Sequence, residues 1–306
     1  MKVGEFPPVF DSSMVAQFKS CPQLFNFTHI QQWKAKELSV HLHAGKAFAS
    51  GIERARECFF VTGHSADDSV ALGLQKLLED YGDFQCPSDS AKSAERMAGA
   101  LEFYFSNYPL DEAQYPPVKF ANGKRGIEFS FALPIDLKHP VTGDPLLYCG
   151  RMDALLHLNN HDEAAYVTDE KTTSQLGATW SRQWDLRSQF TGYAWGARES
   201  GIRTDGVIVR GVSILKTKYD TQQAISYRPE WQIDRWYEEL LGWISDIQRA
   251  WETGKWRHNL DSSCSDYRGC GFKTPCSSED PSPWLETYFE RRRWNPIARV
   301  EESVEL

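Results

Sequence analysis

Apolar positions recur at helical intervals through the first third of the chain and then switch to alternation. Met14, Phe18, Cys21 and Phe25 follow Ser12 and Ser13, residues suited to an N-cap. A helix is therefore expected from Ser12 to about Phe27, with Cys21 facing inward. Another helix is expected from near Ala44 through GKAFASGIERARECFF. Two more cover SADDSVALGLQKLLEDYG and SDSAKSAERMAGALEFYFSNY, each opened by Ser or Asp residues that can cap it. After YPLDEAQYPPVKFANGKRG, whose Pro and Gly residues mark a loop, the period changes. IEFSFALPI alternates, LLYCGRMDALLHL is a longer strand-like run and EAAYVTDEKTT a third, with turns at KHPVTGD and NNHDE; together they predict an antiparallel meander.

A helix from roughly Gln183 to Glu199, strands over DGVIVRGVSIL and QQAISY, and a Trp-rich helix over WQIDRWYEELLGWISDIQRAW complete the pattern. The order is helices, three strands, helix, two strands, helix and a cysteine-bearing tail. It implies an α/β fold with a mixed sheet flanked by helices. In the Trp-rich segment, residues 231, 236, 243 and 251 fall on or near one stripe, which suits core packing and, as the less ordinary use, base stacking.

Composition narrows the class. The chain has 306 residues, 41% of them hydrophobic, enough for one large domain or a domain with an inserted subdomain. The segment MKVGEFPPVFDSS has no apolar signal-like core, and no uncharged apolar run approaches the roughly 20 residues of a membrane span, so the expectation is a cytoplasmic protein with no membrane partner. A formal charge of -8 gives no global field toward polyanions, so any nucleic-acid contact must be local or assisted by cations. Seven cysteines, an odd number, argue for reduced thiols or a metal rather than a disulfide framework. No Walker A motif is present, so any unwinding must come from another protein.

Charge inside the meander marks candidate chemistry. Asp153 interrupts an apolar run, and Asp169, Glu170 and Lys171 sit together near the end of the third strand. Alternation places Asp169 and Lys171 on one face and Glu170 on the other. With Asp153 across from them, two carboxylates and a lysine converge. Mg²⁺ or Mn²⁺ would relieve the repulsion, and the lysine would orient or deprotonate a water or neutralise a phosphate oxygen. A turn-proximal ion pair explains the same residues without chemistry. Gln189 and Tyr193 lie one helical turn apart and point the same way.

These residues carry a resemblance. GRMDALL, VTDEKTTS and QFTGY are similar to the GxxD, DxK and QxxxY motifs of the PD-(D/E)XK nuclease superfamily in its RecB-like branch. FKSCPQLF and CSDYRGCGFKTPC resemble that branch's N-terminal cysteine signature and C-terminal cysteine triplet. The motifs occur in order across residues 12 to 276. The resemblance implies a restriction-endonuclease-like fold in a single domain over 1-306: a mostly helical region over 12-120, a nuclease core over 121-256 and a cysteine-rich tail over 257-306. It implies that Cys21, Cys264, Cys270 and Cys276 hold a [4Fe-4S] cluster joining the chain ends, with zinc as the rival. Cys58, Cys86 and Cys149 are left unligated.

It also implies Mg²⁺ or Mn²⁺ on Asp153, Asp169 and the carbonyl of Glu170, with Lys171 acting on the water or the transition state. Gln189 and Tyr193 would position the strand. Where many relatives have a metal-reaching histidine, this chain has Ala49; Glu53, one turn on, is the expected replacement and His43 a weaker one. The expected activity is a metal-dependent deoxyribonuclease, an exonuclease on single strands or duplex ends, in recombination, repair or phage DNA processing, with a helicase or recombinase as partner. Residues 290-294, ERRRW, would supply part of a DNA track or a solvated helix face. The competing expectation is a non-cleaving DNA-binding or assembly subunit that keeps fold and cluster.

Overall fold

The computed structural model describes residues 3-37, 39-111, 115-158, 161-260, 262-265 and 269-298. The chain divides into two compact units. One comprises residues 1-37, 131-150 and 234-305, the other residues 38-130 and 151-233. The architecture is mixed α/β, with a mixed central sheet and flanking helices.

In the first unit, β1 (Val9–Phe10) leads into α1 (Ser12–Ser20), α2 (Pro22–Phe25) and a π-helical turn over Asn26–Ile30. The continuous helix expected to Phe27 is thus broken. Pro22 lacks the N–H needed to continue α1 and instead opens the next helix, leaving Cys21 in extended backbone between the two. The N-cap of α1 is Asp11 rather than Ser12 or Ser13; its carboxylate accepts from the Met14 N–H at 2.8 Å. The strand β2 (Trp33–Ala35) pairs antiparallel with β8 (Phe289–Arg291). Around that ribbon, Phe27, Trp33, Phe272, Leu285 and Phe289 form a small core. Phe272 stacks on Phe27 at 5.1 Å and on Phe289 at 4.5 Å, so the segment after the second cysteine of the triplet is anchored by aromatic burial. The tail also forms α9 (Ser262–Ser265), α10 (Lys273–Cys276) and α11 (Ser282–Tyr288). Trp236, in α8 (Glu230–Thr253), packs edge-on against Tyr148 at 5.4 Å, as core packing requires. Trp231, by contrast, is 61% exposed, so the stripe does not bury all its tryptophans.

The second unit is built on α3 (Val40–Phe60), α4 (Ala66–Tyr81) and α5 (Ala94–Asn107), with Ser65 and Ser93 as side-chain N-caps of the latter two. A Cβ on Gly73 would lie 2.6 Å from the Gly51 carbonyl oxygen, so these glycines allow α3 and α4 to pack nearly backbone to backbone. Strand β3 (Ile127–Lys138) pairs with β4 (Pro145–Leu158), and β4 runs antiparallel to β5 (His161–Thr173). The turn expected at NNHDE falls partly outside the described residues, which resume at His161. The helix expected from roughly Gln183 to Glu199 begins later, as α7 (Ser188–Glu199), and an unexpected short α6 (Ala178–Arg182) precedes it. The strand β6 (Thr204–Ile214) then pairs parallel to β5, and β7 (Tyr219–Tyr227) antiparallel to β6.

Register assigns the faces. Val212 and Ile214 bury with α3, α4 and α5, whereas a Cβ on Gly211 would strike the Trp180 ring at 2.3 Å. Because Lys171 pairs with Gly211 and Glu170 with Arg210, alternation turns Lys171 and Asp169 toward the α6 side and Glu170 toward α3 and α5.

Candidate active site

Asp153 and Asp169 stand on neighbouring antiparallel strands, and Asp153 Oδ2 accepts the backbone N–H of Glu170 at 2.8 Å. Burial pushes the Asp153 carboxyl well above the usual carboxylate range, and the charges of Asp169, Glu170 and Glu128 push the same way. Asp169, 3% exposed, is also raised by burial, against the opposing pull of Lys171. Lys171 Nζ lies 2.5 Å from Asp169 Oδ2, a close ion pair between a buried carboxylate and a half-buried ammonium. Burial disfavours the Lys171 ammonium, yet Asp169 and Asp153 outweigh it and raise its pKa.

Glu170 occupies the other environment. Arg56 makes two contacts to its carboxylate, one at 3.2 Å from Nη1 and a shorter one from Nη2, and the Tyr104 hydroxyl donates to Oε1 at 3.1 Å. Burial opposes ionisation of Glu170, but Arg56 more than offsets it and lowers its pKa. Its side chain is thus committed to a structural ion pair on the α3 face. Only its backbone is shared with Asp153.

Glu53, on α3, pairs with Arg151 Nη2 at 3.2 Å, and Arg151 Nε contacts Glu128 more closely still. Glu128 has φ of +51°, a left-handed conformation for a side-chain-bearing residue inside a strand. Burial, then the Glu53 charge, push its carboxyl up to about 7. Among the described residues, no group of three or more His, Cys, Asp or Glu side chains is arranged to hold a metal ion. His43 Nε2 donates to the Tyr81 carbonyl oxygen at 2.8 Å and the ring stacks on Phe84 at 4.2 Å, engaged in the α4 end of the unit. Gln189 Nε2 donates to the Tyr193 hydroxyl at 3.0 Å, so these two side chains do meet. The Arg187 charge, just before α7, acts on Asp169.

The first unit holds the other candidate cluster. Cys21, Cys264, Cys270 and Cys276 all line one cavity of about 290 Å³, and none is in a disulfide. Burial raises the Cys276 thiol to about 11, and the neighbouring Cys270, Cys21 and Cys264 contribute. Cys58 and Cys149 are buried elsewhere.

Comparisons with known proteins can be set against this geometry. No family model matches the chain. No curated protein matches it. Among solved structures it is similar to a protein from Eubacterium rectale assigned as a candidate exonuclease, with 11% identity, a TM-score of 0.49, and coverage of 98% of this chain and 94% of that one. It is also similar to the protein SSO0001 over 42% of this chain and 55% of that one, with 17% identity and a TM-score of 0.24.

Sequence reasoning missed Arg56, Glu128, Arg151 and Arg187. Arg56 carried a usable signal: it follows Phe48 and Ile52 at a four-residue interval, on the apolar stripe of α3, where an arginine is rare without a partner. Arg151 lies inside the GRMD segment and Glu128 is one of the two polar positions of the alternating IEFSF, but nothing local links the two.

Proposed function

We propose that the protein is a divalent-metal-dependent nuclease that hydrolyses DNA phosphodiester bonds, acting on single strands or duplex ends. The observation that carries this reading is the pair of buried carboxylates, Asp153 and Asp169, on neighbouring strands with the Lys171 ammonium against one of them. Two like charges out of water are costly, and a hard cation with oxygen ligands is the ordinary remedy. Mg²⁺ or Mn²⁺ at Asp153, Asp169 and the Glu170 carbonyl would supply charge to the scissile phosphate and acidify a water. Lys171 supplies a positive group beside the phosphate oxygen as charge builds there. Gln189 and Tyr193, hydrogen-bonded to each other, steady the strand.

For the cysteine cavity we favour a [4Fe-4S] cluster. A single zinc needs its four sulfurs about 2.3 Å from one ion, whereas a cluster takes one thiolate at each of four irons. Four thiols lining one cavity are the donor set such a cluster takes.

Two observations favour a second reading, a DNA-binding subunit that does not cleave: Ala49 stands where the resemblance implies a histidine, and Glu53 is held by Arg151. End-labelled single-stranded and duplex DNA, incubated with Mg²⁺ or Mn²⁺ and with EDTA, separates the two. Cleavage is expected only with metal, and Asp153→Asn, Asp169→Asn and Lys171→Ala are each expected to lower it at least 100-fold while retaining the fold. DNA binding without metal-dependent cleavage would establish the second reading; wild-type cleavage by any of the three variants would remove the assigned site.

A further inference from the structure

A separate cavity of about 290 Å³ lies in the second unit, lined among others by Arg56, Tyr104, Tyr108, Tyr115, Arg210 and Gln223. Its two guanidiniums differ in one respect. Arg56 has a carboxylate, that of Glu170. Arg210, only 7% exposed, has neutral partners among the described residues: Nε donates to Gln223 Oε1 at 2.9 Å, Nη1 reaches the Tyr104 hydroxyl at 3.4 Å, and the guanidinium lies 4.5 Å from the Tyr108 ring centre and 5.5 Å from that of Tyr115. Glu170 already carries the bidentate contact with Arg56 and is the one carboxylate whose charge acts on Arg210, so Arg56, Arg210 and Glu170 together leave one positive charge in excess beside an aromatic-walled cleft that opens to solvent.

A buried cation without an anion in contact is costly, and a guanidinium offers five N–H donors suited to phosphate oxygens. Tyrosine faces beside it are stacking platforms for a planar ring. Gln223 spends its amide oxygen on Arg210, which leaves its NH₂ as a donor for a ring carbonyl or nitrogen. A ligand that satisfies all of this has a planar heterocycle and a phosphate a few bonds away.

We infer that this cavity binds a nucleoside monophosphate unit, with its phosphate on Arg210 and its base against Tyr108 and Tyr115. The choice of a nucleotide rests on the nuclease reading; the charge and shape of the cavity do not. The unit can come from two sources, a free mononucleotide or the terminal nucleotide of a DNA strand.

Calorimetric titration of the full-length protein in EDTA, where metal-dependent cleavage is blocked, tests the site with dTMP, thymidine, inorganic phosphate and short single-stranded oligonucleotides bearing a 5′-phosphate or a 5′-hydroxyl. Saturable dTMP binding is expected, with thymidine and phosphate each at least tenfold weaker. Arg210→Gln should weaken dTMP at least tenfold and Tyr115→Leu severalfold. Competition between dTMP and the 5′-phosphorylated oligonucleotide would identify the strand end as the source; independent binding would identify the free nucleotide. Absence of saturable dTMP binding, or equal affinity in wild type and both variants, overturns the inference. If Arg210→Gln does not fold, unchanged affinity in Tyr115→Leu overturns it alone. Cleavage assayed on the same preparations keeps the two readings apart, since cleavage without dTMP binding removes only the cavity and dTMP binding without cleavage removes only the nuclease.

Discussion

Replacing Glu170 by Gln should destabilise the protein far more than an exposed Glu→Gln change, although Glu170 lies between two proposed catalytic residues. The side chain accepts from Arg56 through both oxygens and from Tyr104 at 3.1 Å, and Arg56 is only 4% exposed. A carboxamide keeps the shape but removes the charge and turns one acceptor into a donor facing a guanidinium. Arg56 is then a buried cation with only neutral partners, and the Arg210 charge loses the Glu170 charge that opposes it. Breaking a buried pair from one side costs about 3–5 kcal/mol. At roughly 2–4 °C per kcal/mol for a unit of this size, the melting temperature should fall by about 6–20 °C.

Arg56→Met alone should cost a similar amount, for the mirror-image reason. The double variant should cost less than the sum by about 2 kcal/mol or more, since neither charge is then stranded. Denaturant midpoints for the four proteins, measured in EDTA, complete the cycle. Single-variant losses below about 1 kcal/mol that simply add would refute the claim that this pair is a tightly coupled structural element.

Other perturbations give distinct outcomes. Glu53→Ala should lower metal-dependent cleavage and free Arg151 to act on Glu128 alone, while His43→Ala, which removes a stacking and hydrogen-bonding contact with the α4 end, should lower stability and leave the metal titration unchanged; the reverse ranking would show that α3 is aligned wrongly with the site. Anaerobically purified protein should carry about four irons per chain and absorb broadly near 400 nm, and serine at Cys21, Cys264, Cys270 or Cys276 should abolish both, with Cys58→Ser and Cys149→Ser neutral; colourless protein with stoichiometric zinc would make this a zinc site. Burial lowers the His29 pKa to about 4 from its ordinary 6.5. The unfolded chain therefore binds the extra proton between those values, so stability should fall as pH falls through this window, by up to about 1.4 kcal/mol per pH unit, and His29→Gln should flatten that slope in pH-dependent denaturation.

The strand alternation that set Asp169 and Lys171 apart from Glu170 was legible because side-chain direction in a strand has a fixed period, and the register with β6 gives the same division. The helices over Ala66–Tyr81 and Ala94–Asn107 were legible for the same reason, through their caps and apolar period. What could not be read was pairing across long separations. That Arg56 meets Glu170, or Arg151 meets both Glu53 and Glu128, depends on how helices settle on the sheet, and no local period encodes it. The break at Pro22 was a local signal outweighed by an apolar spacing that ran through it.

The cysteine cavity is assembled from a residue near the start of the chain and three near its end, all within a unit built from residues 1-37, 131-150 and 234-305. Residues 38-130 and 151-233 leave the ribosome before the last of those segments is made, so their unit has every part it needs first. At roughly 5–20 residues per second, Cys21 waits about 10–50 s for Cys264 to be synthesised. A ligand held by all four thiols can therefore be enclosed only after Cys276 has been synthesised, and until Cys264 follows it Cys21 is a lone thiol exposed to oxidants. With the proposed iron-sulfur cluster in that cavity, iron supply and oxygen tension during expression, rather than the sequence alone, would set the fraction of chains that mature.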